Sequence, residues 1–503
     1  MCTVLLPPPD LAVDRSAITR LMTALAMKVA PTRAGVWTLL DTPDHRLIQA
    51  GQLLVRRPGE LAVLAAGRPA EALAVQPWTA RSLPRLLAEW PAGPVRKRLA
   101  PVVDIRALLP LAAVPMQGVI ASRQDDHGKT VARLAAWLAT PTGTAPLLWV
   151  VVAALRGYRH EHRTLVAELV ARGWRVSDVE PLTALRRSVA DDAVEDGLAG
   201  FTDDTQPAGA ALCAWLSEAV QRLPPLEAGV KDDIDTEFLH DLRVTLRKMR
   251  ALTAQFKTVF TPAVGERIRT ILGDWSRASN AVRDLDVWLL AKAEHAALVP
   301  ASLRPGLDIF FAALAVERPA AQRRLAARLG SAVHRRERAA LAKLLAAAPT
   351  GPDATVPLAT LAALRTWKTF RQAARDAALV HAATASAEVH AVRIRCKKLR
   401  YLLDACGELT APDDHQELRD RLKAVQAVLG TYNDVAVQSA GLLQRVSARG
   451  TPPAVLLAMG AMVGALDRTR AGLTQPLLNG LADLSASATR TRYRRLFRPA
   501  TEA

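Results

Sequence analysis

His240–Arg250, HDLRVTLRKMR, sets a cation three, seven, eight and ten residues after a histidine, and His390–Arg400, HAVRIRCKKLR, does so again. The first copy supplies His240, Arg243, Arg247, Lys248 and Arg250; the second supplies His390, Arg393, Lys397, Lys398 and Arg400. On an α-helix at about 100° per residue, positions 0, 3, 7 and 10 fall within roughly 80° of one another, and position 8 flanks them. Each helix therefore carries a row of positive charge about 15 Å long. Like charges at this spacing repel, so the row is best explained by an anion lying along it. A single copy reads more readily as a solvated basic face. Two copies 150 residues apart, each headed by histidine, read as an internal duplication with a shared purpose.

The segments after the two copies strengthen the duplication. LGDWSRASNAVRDLDVW follows the first, with Arg283, Asp284 and Asp286; LKAVQAVLGTYNDVAV follows the second, with Lys423, Asn433 and Asp434. Each predicts a helix running back beside the basic one and ending in a small polar group. Arg283 and Lys423 join the candidate anion contacts. The aspartates are expected to hold the arginines in position and not to catalyse. The two histidines are read as phosphate contacts or as fixers of groove geometry. Metal binding is not expected, because no second His or Cys stands three or four residues on and the neighbours are cations.

The doubled histidine-headed helix, RDLDV and LGTYNDV together resemble the CHAD domain, the conserved histidine α-helical domain, over roughly residues 206–500. The resemblance implies two four-helix bundles with a basic channel between them. It also implies inorganic polyphosphate as the ligand and association with polyphosphate granules in bacterial cells.

Composition agrees with an anionic partner. The chain has 503 residues, a net charge of +18 and half its residues hydrophobic, enough for two or three domains with real cores. Residues 201–503 hold 42 Lys+Arg against 30 Asp+Glu, while residues 1–200 hold 24 against 18, so the excess lies mainly in the half with the repeats. Aromatic residues are only 4%, and Tyr401 alone adjoins a basic motif, which argues against stacking on nucleic-acid bases. A duplex reader would also want its basic helix free to enter a groove. These helices carry Val244, Leu246, Met249, Leu252, Leu399 and Leu402, the pattern of bundle members. Cys2, Cys213, Cys396 and Cys406 form no CxxC pair, which fits a reduced cytoplasmic setting. No secretory leader is read at MCTVLLPPPD, and the apolar run near Pro146–Leu155 is too short for a membrane span and is expected to be a buried strand.

The first 195 residues predict an α+β domain. DRSAITRLMTALAMKV reads as a helix capped by Asp14. VWTLLDTPDHRLIQAGQLLVRR reads as strand, turn at Asp41–Pro43, short helix and strand, with Arg56 and Arg57 sent to opposite faces. Trp78–Trp90 is expected to be helical and PVRKRLAPVVDIRALLPL to be a strand. LLWVVVAALRGY reads as a strand and HEHRTLVAELVARGW as a helix ended by Gly173.

LLDTPDHRLIQAGQLLVRR, DDHGKTVARL and LRGY resemble the CYTH, or triphosphate-tunnel, family. That family's first strand carries E-x-E-x-K, whose acids hold a divalent metal. Here Leu6–Leu11 would follow that strand, the lysine position falls at Thr3, and no E-x-E occurs in the first hundred residues. Without paired carboxylates a divalent ion lacks ligands, so a degenerate, non-catalytic domain is expected, with no cofactor. Arg56, Arg57, Arg96 and Arg98 could retain weak anion binding, although surface roles are the commoner use of such residues.

The resulting architecture is a degenerate CYTH-like β-barrel or sheet with helices over 1–195, a linker over 196–210, and an all-α domain over 211–500. The helical part divides into pseudo-symmetric halves at about 211–348 and 358–500, separated by PTGPDATVP. The expected function is non-catalytic polyphosphate binding. A metal-dependent triphosphatase or polyphosphatase, and a nucleic-acid-binding protein, are the rival readings.

Overall fold

The computed structural model describes residues 2–31, 33–67, 72–189, 198, 200–409, 412–446 and 450–498. Residues 196, 197 and 199 of the expected linker lie outside them. The chain forms two compact units, Met1–Gly197 and Leu198–Ala503.

The first unit is built on an antiparallel sheet of β1 (Cys2–Leu6), β2 (Lys28–Val29), β3 (Arg33–Asp41), β4 (Gln52–Arg57), β5 (Glu60–Ala65), β6 (Ala72–Pro77), β7 (Leu109–Gln124), β8 (Thr130–Ala139), β9 (Leu147–Ala153) and β10 (Arg175–Ser177). Its order is β10-β1-β9-β8-β7-β3-β4-β5-β6, with β2 also paired to β7. Alternation along the strands gives each face its own core. Leu5, Leu134 and Val150 pack beneath Ile18 and Leu21 of the Arg15–Ala24 helix and Leu165 of the Arg159–Ala171 helix. On the other face Val4, Leu39, Val55 and Val114 gather with Leu182 and Leu185. Asp14 caps its helix by accepting from the amide of Ala17 at 2.8 Å, and Gly173 takes a left-handed φ of 84° just past the Arg159–Ala171 helix. This antiparallel α+β unit is compatible with a CYTH-like fold. Thr3 sits on β1 opposite Val152, with its hydroxyl 3.3 Å from Nε2 of His162.

Two local expectations fail here. Trp78–Trp90 is not a helix but an irregular loop with one short 3-10 turn at Leu87–Glu89. Its two tryptophans are buried against each other with ring centroids 5.5 Å apart, and the Trp90 indole donates to the Pro84 carbonyl at 2.8 Å. Their burial comes from a folded loop, not from a helical period. Pro94–Val103 is a helix, not a strand: Pro94 stands in its first turn, and Val95, Leu99 and Val103 recur every fourth residue and are all buried. The strand begins only at Leu109.

Three of the four arginines considered for weak anion binding make local contacts, and Arg98 is exposed. Arg96 and Arg98 lie on that helix, and Arg96 donates to the Trp90 carbonyl. Arg56 donates to the carbonyls of Ala80 and Arg81, while Arg57 pairs with Glu60 at 3.2 Å and lies over the Trp37 ring.

The second unit is all helical. The first basic helix spans Thr236–Gln255 and the second Ser386–Ala405. Ala208–Gln221, Leu223–Lys231, Pro262–Ala278, Asn280–Leu290, Arg304–Gly330 and Ala332–Ala346 belong with the first; Leu358–Ala377, Pro412–Val446, Pro453–Ser485 and Ser487–Phe497 belong to the second repeat. The break at 349–357 is irregular as expected.

The two repeats and the two hydrophobic cores do not coincide. Pro412–Val446 and Pro453–Ser485 are 35 and 33 residues long, about 50 Å each. Leu418, Leu422, Leu477 and Leu481 pack in the second core, while Leu442, Met459 and Met462, towards the other ends of the same helices, pack in the first. The halves are tied together by shared helices. Pro207 and Pro357, which cap equivalent helices of the two repeats, also meet in an antiparallel bridge, a self-complementary contact of the kind a two-fold relation produces.

Among the described residues no helix is long and apolar enough to cross a membrane. Cys2, Cys213, Cys396 and Cys406 are free thiols.

Candidate functional site

Both basic helices form for reasons legible in their sequence. Asp235 caps the first by accepting from the amides of Glu237 and Phe238 at 2.9 and 3.0 Å. Leu239, Leu242, Leu246, Met249 and Leu252 then face the core, at the spacing of one helical stripe. In the second, Val389, Val392, Cys396, Leu399 and Leu403 do the same. With the apolar stripe committed to packing, the cations are left on the remaining face.

The two helices pack against each other, and their cations interact across the contact. The Lys397 ammonium is pushed down to about 8, first by burial and then by Arg393 of its own helix and Arg247 of the other. Lys248 is also lowered, by burial and by Arg400 and Arg222, against the opposing pull of Asp404. Arg243 is lowered by burial and by Arg247, with Arg283 and Arg250 adding to the field and Asp284 offsetting it. Arg243, Arg247, Lys248, Arg250, Arg283, Arg393, Lys397 and Arg400 thus form one electrostatic group drawn from both repeats.

A recess lies on this group. Arg243, Arg247 and Arg250 line a cavity of about 250 Å³ with Gly273, Ser276, Arg277 and Asn280 of the helices beside the first basic helix. Arg243 is anchored there, donating to Oγ of Ser279 at 2.6 Å, Oδ1 of Asn280 at 2.8 Å and the Ser276 carbonyl at 3.3 Å. The break between Ala278 and Asn280 makes this possible, because it turns Ser279 and Asn280 towards the arginine. In the second repeat Pro412–Val446 runs on unbroken, and its polar residues act from mid-helix. The Asn433 side-chain oxygen bonds Nδ1 of His390, Asp434 accepts from Arg393 at 3.3 Å, and Gln426 accepts from Arg400 at 3.3 Å while donating to the Cys396 carbonyl at 2.6 Å.

The expected supporting aspartates divide three ways. Asp434 holds a stripe arginine directly. Asp284 contributes field at Arg243. Asp286 does not serve the stripe: it is 2% exposed, and its carboxylate takes a hydrogen bond from Arg318 of Arg304–Gly330 at 2.9 Å. Two helical residues beyond Asp284, its side chain points into the bundle, away from the stripe. His240 is half-buried in the first basic helix. Lys398 and Lys423 are exposed, and among the described residues no hydrogen bond or ion pair joins them to the group.

Sequence reasoning missed Arg222 and Arg277, and it missed Ser276, Ser279 and Asn280 as anchors. The run Ser276–Asn280, SRASN, was the available signal: small polar residues interrupting an apolar helical period mark a break with exposed side-chain oxygens. Among the described residues no group of three or more His, Cys, Asp or Glu is placed to hold a metal ion.

A family model described as the CHAD domain matches residues 214–443. Among solved structures, the chain is similar to the CHAD domain from the plant Ricinus communis, at 25% identity over 56% of this chain and 94% of that one, with a TM-score of 0.46. It is also similar to PptA from Streptomyces chartreusis, at 20% identity over 55% of this chain and 99% of that one, with a TM-score of 0.41. No curated protein matches it.

Proposed function

Residues 214–443 of this chain are a CHAD domain, and from that premise we propose that its basic groove binds inorganic polyphosphate without catalysing its breakdown. One observation carries the reading: the duplicated cationic helices pack together, so that Lys397 of one lies in the field of Arg247 of the other. Such a group is costly without counter-charge, and a slim polyanion supplies that charge along the whole length of the groove. Arg is abundant in it, and its planar fork suits phosphate oxygens. Polyphosphate has no bases, which suits a recess walled by arginine and small polar residues and without an aromatic platform. The apolar faces of both basic helices are spent on packing, which keeps either helix from entering a DNA groove as a free rod.

The named roles are phosphate contact for Arg243, Arg247, Lys248, Arg250, Arg283, Arg393, Lys397 and Arg400, with His240 and His390 at the heads of the two stripes and Lys398 and Lys423 as outer contacts. No residue is assigned a catalytic role. Association with polyphosphate granules in the cytoplasm would follow from the binding.

Titration with long-chain polyphosphate, against tripolyphosphate and duplex DNA, tests the reading. Long chains should bind tightest, and affinity should fall steeply with added salt as counterions are released. Stronger binding to duplex DNA than to polyphosphate would overturn it in favour of a nucleic-acid partner.

A further inference from the structure

The two repeats are alike along their stripes and unlike at the recess. At the 150-residue offset that carries His240 to His390 and Asp284 to Asp434, Gly273, Arg277 and Asn280 correspond to Lys423, Ala427 and Gly430. A lysine stands where the first repeat has only a hydrogen, and the arginine and asparagine of the recess wall have no counterpart.

Counter-charge differs in the same sense. Arg400 pairs with Asp404 at 3.3 Å, whereas its counterpart Arg250 has Ala254 at the matching position. Arg393 pairs with Asp434 at 3.3 Å, whereas its counterpart Arg243 is held by the uncharged Ser279 and Asn280. Two acids do reach the recess: Asp274 pairs with Arg277, and Asp284 acts on Arg243. Arg247 and Arg250 also line it, and among the described residues no hydrogen bond or ion pair joins either to a carboxylate.

Gly273 keeps the recess open. It stands inside the Pro262–Ala278 helix, where glycine is less favourable than almost any other residue. The nearest atoms a Cβ there would meet belong to the Arg277 guanidinium, with Nη1 at 3.3 Å. The cavity, about 250 Å³, is smaller than the roughly 300–1,000 Å³ of pockets that enclose a whole ligand. It has room for the last groups of a polymer and not for a folded length of one.

We propose that this recess seats a chain end: the terminal phosphate of a polyphosphate lies beside Arg247 and Arg250, and the chain runs from there past Lys397 along the stripes. The proposal rests on the polyphosphate reading of the groove and adds to it a preference for ends. The chemistry of the end supplies the preference. A phosphate held by one link bears about −1.5 to −2 charge near pH 7, whereas an internal phosphate has one ionisable oxygen and bears a single charge. Two guanidinium groups without counter-charge, each a planar fork of donors, suit the more highly charged end. Arg247 belongs both to the recess and to the contact with Lys397, so it joins the end to the rest of the chain. The bound polymer therefore has a direction, from the first repeat to the second.

The test titrates the full chain calorimetrically, at low salt, with size-defined polyphosphates of two lengths. Each length is used with free ends and with both ends capped as alkyl phosphoramidates. Free-ended chains should bind about tenfold more tightly than capped ones. Their tight phase should saturate at no more than two protein molecules per chain at either length, because a chain has two ends. Gly273→Leu fills the recess while leaving every cation in place, and it should erase the difference between free and capped chains. Arg250→Gln, at an exposed position, should reduce that difference. Far-UV circular dichroism checks both variants, and if Gly273→Leu does not fold, Arg250→Gln carries the comparison. Capped chains that bind as tightly as free ones, or a tight phase whose protein count grows in proportion to length, overturn the proposal. Failure of the groove reading looks different: neither free nor capped chains are then retained, or Arg247→Glu with Lys397→Glu leaves retention undiminished.

Discussion

Lys397 and Arg247, on different helices and 150 residues apart in the chain, lie close enough for the guanidinium to help lower the lysine to about 8. Two like charges are held together by the packing of the leucine, valine and methionine faces beneath them. The folded protein bears that repulsion, and an anion bound between the two helices would relieve it.

Stability should therefore depend on pH in a defined direction. Below about pH 8 Lys397 is charged in both the folded and unfolded chain, and the folded chain carries the full penalty. Between about 8 and the ordinary lysine value of 10.5 the folded chain loses its proton first, so the unfolded chain binds more protons and stability rises with pH. Thermal unfolding of the protein and of Lys397→Met across this window measures the effect. The variant should lack this part of the rise and be more stable than the parent at pH 7.

Binding should take up a proton. A polyanion beside Lys397 favours its charged form, so the complex holds a proton that the free protein has begun to lose near pH 8. Calorimetric titration in two buffers of different ionisation enthalpy should show net uptake at pH 8 to 9. Affinity should decline as the pH climbs past that range.

Charge reversal should separate binding from folding. Arg247→Glu with Lys397→Glu places acids at the contact between the helices, and retention on a polyphosphate matrix should be lost. Both side chains are only half-buried, so helix content by circular dichroism should hold. Unchanged retention would count against the groove.

Removing a supporting residue should act differently. Arg318→Met strips Asp286 of its partner while leaving every stripe cation in place. Because that carboxylate is 2% exposed, the uncompensated charge should cost about 3 kcal/mol of stability. Urea unfolding should register that loss, with polyphosphate affinity at temperatures below unfolding within about twofold of the parent.

The first unit should release no phosphate. The protein incubated with tripolyphosphate and Mg²⁺ or Mn²⁺ should give no metal-dependent orthophosphate, since on the CYTH-like reading the lysine position falls at Thr3 and no E-x-E occurs in the first hundred residues. Metal-dependent release would restore a triphosphatase role to that domain.

Some of this was legible residue by residue. The histidine-headed spacing gave both basic helices and their duplication, because helical periodicity is a property of the local chain. Asp14 announced its helix as a cap. Where local chemistry was ambiguous, reading failed. Val95, Leu99 and Val103 have a helical period, but in a window containing Pro94, Pro101 and a following true strand, it was masked. The tryptophans at 78 and 90 are buried by a loop closing on itself, which leaves no period at all.

The amino-acid order alone determined that two cationic rods exist and that each has an apolar back. Only the folded chain decided that the rods touch, that Asp286 turns away from the stripe to Arg318 while Asn433 holds His390, and that two long helices stitch one core to the other. The division has a physical cause: helix formation and its faces depend on neighbours a few residues away, whereas the meeting of Arg247 with Lys397 depends on how whole apolar faces bury one another.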